Sequence, residues 1–242
     1  MEKMKTNIKG LDVLLGGGIP VHNNVFICGG PGTGKTSLAM EFLYRGALEG
    51  DNGLFLSLEE DTNSLVDNAT TTFTKWNKFN QMIKEKKLMV LTQESYIHVD
   101  TPETGVSPYY TFNKLQDKIN ETIEDNKIER IVVDSASILN LFFTDDLEYR
   151  RTLLNLLRDL KRKGCTALLT AELQNVNRET VRFAIEHFVA DGVILLYLLE
   201  QQERRISAME VLKMRGSEHS KVLTPFKITP NGIEVFVGER VY

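Results

Sequence analysis

Cysteine is scarce in this chain of 242 residues, with Cys28 and Cys165 the only two. So low a count excludes a disulfide framework. Each cysteine lies in an apolar run, Val25-Phe26-Ile27-Cys28 and Cys165-Thr166-Ala167-Leu168-Leu169. Both are expected to be buried thiols in strands; a disulfide or a metal shared by the pair is the competing reading. Long hydrophobic runs are missing too. Nothing approaches the roughly 18 apolar residues of a membrane span. The opening Met1-Glu2-Lys3-Met4-Lys5 has no apolar stretch behind it to act as an export signal. No membrane contact and a cytoplasmic location are the resulting expectations. An excess of positive charge is absent as well: 29 Lys and Arg against 33 Asp and Glu leave a net charge of −4. That balance argues against a surface specialised for nucleic acid, although a local basic stripe is compatible with it. There is no internal repeat and no low-complexity tract. What remains, 42% hydrophobic and 26% charged, is the composition of a globular protein, and the length suits one α/β domain over residues 1–242.

One stretch organises the rest. Gly29-Gly30-Pro31-Gly32-Thr33-Gly34-Lys35-Thr36-Ser37 satisfies G-x-x-x-x-G-K-[ST], the Walker A pattern, without a mismatch. Val25–Cys28 before it suits a buried strand, and Leu38, Phe42 and Leu43 after it recur at helical spacing. Strand, glycine loop and helix are the context this motif requires. The glycines let backbone N–H groups converge on a phosphate, and the helix N-terminus adds partial positive charge. Lys35 can reach β and γ phosphates, and the Thr36 hydroxyl can ligate Mg²⁺. A nucleoside triphosphate site is expected here.

The remaining pattern alternates strands with helices. Leu11, Leu14 and Leu15 form one apolar turn stopped by Gly16-Gly17-Gly18. The helix after the glycine loop runs to about Ala47, and Leu54–Leu58 is a buried strand ending in Glu59-Glu60. A helix is expected over 63–72, a strand over Leu88–Leu91 and an exposed loop over 100–108. Leu115, Ile119 and Ile123 mark an amphipathic helix from Phe112. Ile131–Ser135 is a strand, Tyr149–Lys163 a helix ended by Gly164, and Thr166–Thr170 the next strand. From Val193 onward, short strands with polar turns such as Pro230-Asn231-Gly232 suggest antiparallel pairing. The expected fold is thus a mostly parallel central sheet flanked by helices, followed by antiparallel C-terminal strands.

Two further features bear on chemistry. Four residues led by an apolar run and closed by Asp134 at a strand end match a Walker B element, which holds Mg²⁺ beside the phosphate loop; a carboxylate capping the next turn is the alternative. Glu59 and Glu60 end the strand after the glycine-loop helix, where an open α/β sheet faces its ligand crevice. A carboxylate there can orient and deprotonate water. The competing reading is an acidic pair favoured by the start of the next helix.

These residues, taken together, resemble the KaiC-type branch of the RecA/RadA ATPase superfamily, and most closely its first, ATP-hydrolysing half. Ile8-Lys9-Gly10-Leu11-Asp12 with Gly17-Gly18-Ile19-Pro20 resembles the family's opening motif, and Thr33–Thr36 with Phe42-Leu43-Tyr44 its phosphate loop and helix. Glu59-Glu60, Val133-Asp134-Ser135, Arg150-Arg151, Thr170-Ala171-Glu172 and Phe188-Val189-Ala190-Asp191 have counterparts in the same order. Leu212–His219 resembles the segment that reaches a neighbour's ATP, and Pro225–Thr229 matches the last strands. The resemblance implies a RecA-like core, ATP and Mg²⁺ as cofactors, catalytic Glu59 and Glu60, and a homo-oligomer, a hexameric ring, with ATP at its boundaries. It further implies that Lys213 and Arg215 act in trans on the γ-phosphate, with Ser217 and His219 near the nucleotide and Phe188 at the adenine. Spacing adds that Lys213 and Arg215, two apart, share one face of a strand. The Ser-Thr phosphorylation pair of the family's kinase half is replaced by His187 and Phe188, so self-phosphorylation is not expected. Residues 73–111 fit the resemblance poorly. The leading expectation is slow ATP hydrolysis that signals nucleotide state to a partner protein. The alternative is a RadA-like recombinase binding single-stranded DNA; against it stand the short loop 173–182, with only Arg178 and Arg182 as cations, and the lack of a helix-hairpin-helix module.

Overall fold

The computed structural model describes residues 1–92, 108–140, 143, 145–173, 184–201 and 204–241. The expected loop over 100–108 and the chain from 174 to 182 therefore lie almost wholly outside the described residues. A short antiparallel pair opens the chain, β1 (Lys3–Met4) with β2 (Ile19–Pro20), bracketing the helical turn α1 (Leu11–Leu14). Asp12 fixes this segment by accepting from the Thr6 and Asn7 N–H groups at 2.8 and 3.0 Å and from the Thr6 hydroxyl.

Then come β3 (Asn24–Gly29), α2 (Lys35–Glu49), β4 (Gly53–Ser57), α3 (Thr62–Thr72), α4 (Phe79–Lys84) and β5 (Leu88–Thr92). The middle of the chain supplies α5 (Pro108–Asn126), β6 (Arg130–Asp134), α6 (Ala136–Leu139), α7 (Asp146–Arg162), β7 (Thr166–Glu172) and α8 (Ile185–Val189). The last third is β8 (Gly192–Gln201), β9 (Arg204–Met214), β10 (Thr224–Thr229) and β11 (Gly232–Val235).

One nine-stranded sheet has the order β11-β10-β9-β8-β3-β7-β6-β4-β5. The strands from β5 to β8 in that order are parallel, and β9, β10 and β11 join antiparallel. This is the RecA-like arrangement expected from sequence. β3 sits inside the sheet with parallel neighbours on both sides and all six of its residues buried. A strand buried on both faces must be apolar throughout, which is why it reads as a run and not an alternation. Two hydrophobic clusters line the two faces. One gathers α1, α2, α3, α4 and the C-terminal hairpin; the other gathers α5, α6 and α7.

Two buried charges tie the layers. Arg130 opens β6 at 2% exposure, pairs with Asp51 at 2.7 Å, donates to the carbonyls of Phe42 and Lys5, and lies over the Phe42 ring. Glu41, on α2, is fully buried; it accepts from Arg45 at 3.0 Å and from the Ile233 N–H. Burial pushes its carboxyl above the usual range, against the opposing pull of these donors. Arg45 also donates to the Asn231 carbonyl at 2.8 Å, as does the Trp76 indole at 3.1 Å, so the β10–β11 turn is clamped to the glycine-loop helix.

Both thiols are free and buried. Cys28 lies in β3 as expected, but Cys165 precedes β7 by one residue, its N–H closing the end of α7 on Leu160 O. Burial raises both thiols, Cys165 to about 11. Among the described residues no helix is long and apolar enough to cross a membrane.

Candidate nucleotide site

The glycine loop leaves β3 at Gly29, where no side chain would fit. An added Cβ would stand 2.5 Å from Thr33 Oγ1 and 2.9 Å from Leu196 O. The Thr33 hydroxyl donates to Gly30 O at 2.8 Å and closes the loop on itself. Gly34 takes φ 94°, and a Cβ there would press on Ile228 Cδ1 at 2.9 Å, so the C-terminal hairpin backs the loop directly. α2 then starts at Lys35 with no side-chain cap and no acid in its first turn. Among the described residues the first N–H groups of this 15-residue helix thus have no side-chain cap, an arrangement that suits an anion. The Lys35 amine lies over the loop, donating to Gly29 O at 3.1 Å and Gly30 O at 3.0 Å. Thr36 and Ser37 follow in the first turn.

Strand register brings the other groups to the same edge. Gly29 pairs with Glu172 of β7, and Asp134 of β6 pairs with Ser57 of β4. Asp134 is 8% exposed and accepts from the Thr170 hydroxyl on the intervening strand. A hydroxyl at Thr36 and a carboxylate at Asp134 are hard oxygen donors of the kind that suit Mg²⁺. No group of three or more His, Cys, Asp and Glu that could hold a metal occurs among the described residues. A cation at this edge would therefore complete its shell with phosphate oxygens and water, as Mg²⁺ commonly does.

Glu59 and Glu60 stand just past β4. The helix-start explanation for them is taken up by another residue: Asp61 is the N-cap of α3, accepting from Asn63 N at 2.9 Å and Ser64 N at 3.0 Å. Those donors hold the Asp61 carboxyl below its usual range, the Ser64 hydroxyl contributing most. Glu60 lines a cleft of about 190 Å³ together with Thr36, Ser37, Met40, Leu65 and Asn68. Its carboxylate accepts from Asn68 Nδ2 at 2.9 Å. Glu59 is exposed, and its carboxylate has no hydrogen bond or ion pair among the described residues.

Lys213, Arg215, Ser217 and His219 cluster elsewhere. Met214 is level with Gly192, which is level with Val25, whereas the loop leaves at Gly29. Four residues of strand, about 13 Å, separate the two levels. These four residues thus gather at the sheet edge opposite their own glycine loop. Lys213 is half-buried and donates to Ala190 O at 2.6 Å and His187 O at 3.3 Å; burial lowers its pKa, with Arg215 adding to the effect. The two cations are not on one strand face, as spacing alone suggested, because β9 ends at Met214. Arg215 follows in a turn, 57% exposed, with its guanidinium 3.8 Å from Asp191 Oδ1. Both cations still converge on residues 190–191. Ser217 Oγ accepts from Lys3 Nζ at 2.7 Å, and His219 Nδ1 lies 3.4 Å from Ser217 O. Phe188, 60% exposed on α8, borders a cleft of about 530 Å³ with Arg150, Asp146 and Glu172.

Sequence reasoning assigned no role to Ser57 or Asn68, and named Thr170 only within the segment Thr170-Ala171-Glu172. Thr170 ends an apolar run as Asp134 does, which is its local signal; Ser57 and Asn68 have none.

Comparison with known proteins identifies relatives of the whole chain. A family model described as "ATPase: KaiC" matches residues 4–240. The chain is 32% identical over 235 residues to the circadian clock oscillator protein KaiC of Synechococcus elongatus, covering 97% of this chain and 44% of that protein. It is 31% identical over 237 residues to KaiC 1 of Synechocystis sp., covering 98% and 44%. The same description applies to a relative from Parasynechococcus marenigrum at 30% identity, 98% and 45% covered. The chain therefore spans less than half the length of these curated relatives.

Proposed function

The chain belongs to the KaiC ATPase family, and on that footing we propose that it hydrolyses ATP slowly, at a site shared between copies of itself, and signals its nucleotide state to a partner protein. In this reading residues 1–242 act as one cytoplasmic ATPase domain, assembled as a hexameric ring. The observation that carries it is the cleft beside the start of α2, where Thr36 and Ser37 of the loop face Glu60. The N–H groups of residues 29–37 bind the phosphates, and Lys35 bridges the β and γ positions. Thr36 and Asp134 hold Mg²⁺, which when bound neutralises charge developing on the phosphate oxygens. Glu59 and Glu60 orient the attacking water and take its proton. Lys213 and Arg215 serve the γ-phosphate of the neighbouring copy, with Ser217, His219 and Phe188 around that nucleotide. The position of Lys213 and Arg215, on the edge away from their own loop, supports action across a boundary. Hydroxyl-free His187 and Phe188 support the absence of self-phosphorylation at that position.

The recombinase reading needs basic loops for single-stranded DNA, and its candidate loop, 173–182, lies outside the described residues except for Leu173. One set of measurements separates the two readings. Steady-state phosphate release is expected to depend on Mg²⁺, intact mass after ATP incubation is expected to be unchanged, and a salt titration with single-stranded DNA is expected to show no salt-sensitive binding. Tight binding that weakens steeply with salt would favour the recombinase.

A further inference from the structure

The two adjacent glutamates are held very differently. Glu60 is fixed at three points. The Ser57 hydroxyl, itself buried, donates to Glu60 O at 2.6 Å and accepts from Glu60 N at 3.0 Å. The Asn68 amide then donates to the Glu60 carboxylate at 2.9 Å. Glu59 has no such ties among the described residues. Asn68 is exposed, on a helix held at its first turn and along its inner face. Asp61 caps its first turn, and Leu65 and Ala69, at 2% and 6% exposure, anchor its inner face. Asn68 lies four residues after Ser64 and one before Ala69, at the border of that face, where its amide reaches the cleft shared with Thr36 and Ser37.

We propose that Asn68 is a positioning residue for the glutamate pair, acting through Glu60. The inference rests on the reading of Glu59 and Glu60 given above. A glutamate carries three side-chain torsions, and at an open sheet edge most of their combinations aim the carboxylate away from Thr36. One donor on the packed helix α3 selects among them. With the Glu60 backbone clamped by Ser57, it also fixes the turn from which Glu59 projects. Among the described residues Asn68 makes no hydrogen bond to residues 29–37, and its side-chain bond goes to Glu60, so the role assigned to it is in turnover and not in affinity.

The test is a double-mutant cycle read as kcat and as Mg-ATP affinity separately. Asn68→Ala is expected to lower turnover about tenfold, the scale on which loss of precise orientation acts, with affinity changed less than about twofold. Asn68→Asp, which keeps the shape but places a like charge against Glu60, is expected to lower turnover at least as far. In a Glu59→Gln/Glu60→Gln background, where no carboxylate remains to be aimed, Asn68→Ala is expected to have less than about a twofold further effect. Wild-type turnover in Asn68→Ala, an equal loss in both backgrounds, or a loss of affinity alongside turnover would each overturn the proposal. The underlying reading fails separately. If Glu59→Gln/Glu60→Gln turns over at the wild-type rate, the glutamate assignment is lost; if that variant is inactive while Asn68→Ala is normal, only the role of Asn68 is lost.

Discussion

Lys35→Ala is expected to weaken Mg-ATP binding by roughly 10²- to 10³-fold, the usual consequence of removing one partner from a buried, hydrogen-bonded charge pair. The amine lies over the loop it serves, within 3.1 Å of the Gly29 and Gly30 carbonyls. It is the only cation of the nine-residue loop. Once it is gone, the remaining positive contribution is the partial charge of the helix start, which cannot balance two phosphates. The fold should survive, because Lys35 donates only to two loop carbonyls and belongs to neither hydrophobic cluster. Calorimetric titration with Mg-ATP, with a thermal melt as control, reads both. Wild-type affinity in a folded Lys35→Ala variant would remove residues 29–37 as the site.

Replacing Glu59 and Glu60 together by Gln should leave binding intact and reduce turnover by about 10²–10⁴, the range for losing a general base. The amides keep the shape of both side chains, so Asn68 still meets an acceptor at residue 60 and the β4–α3 turn is retained. What is lost is the ability to take a proton from water. Single-turnover phosphate release beside nucleotide affinity separates the two effects. Turnover near the wild-type rate would place the base on another residue.

The parts of the site legible in the sequence are those encoded by contiguous residues. The glycine loop, its strand and its helix form one uninterrupted stretch. Asp134 was visible because a strand buried on both faces is a bare apolar run, and the polar residue ending it stands out. Helix stops at glycine were equally legible: Gly164, at φ 79°, follows Lys163, the C-cap of α7. The short α4 and α8 were not, since helices of six and five residues carry too few turns to show a period. Nor was the link between Glu60 and Asn68, which depends on how α3 packs and not on spacing. Nothing local marks Arg130 or Glu41 as buried; their burial follows from partners far away in sequence, Lys5 for one and Ile233 for the other. The position of Lys213 and Arg215 opposite their own loop needed the strand register, because whether a cation serves its own nucleotide or a neighbour's is a property of topology.

The central claim, an ATP site completed by a second copy of the chain, is tested most directly by mixing two inactive variants. One carries Lys213→Ala and Arg215→Ala, the other Glu59→Gln and Glu60→Gln. Each alone should hydrolyse ATP poorly, the first because charge compensation at the γ-phosphate is incomplete, the second because water is not activated. A head-to-tail contact places the edge bearing Lys213 and Arg215 of one copy against the loop edge of the next. In co-assembled mixtures some boundaries then pair intact glutamates with intact cations, and activity should partly return. Mixtures shown by light scattering to co-assemble, yet no more active than either variant alone, would contradict the shared site.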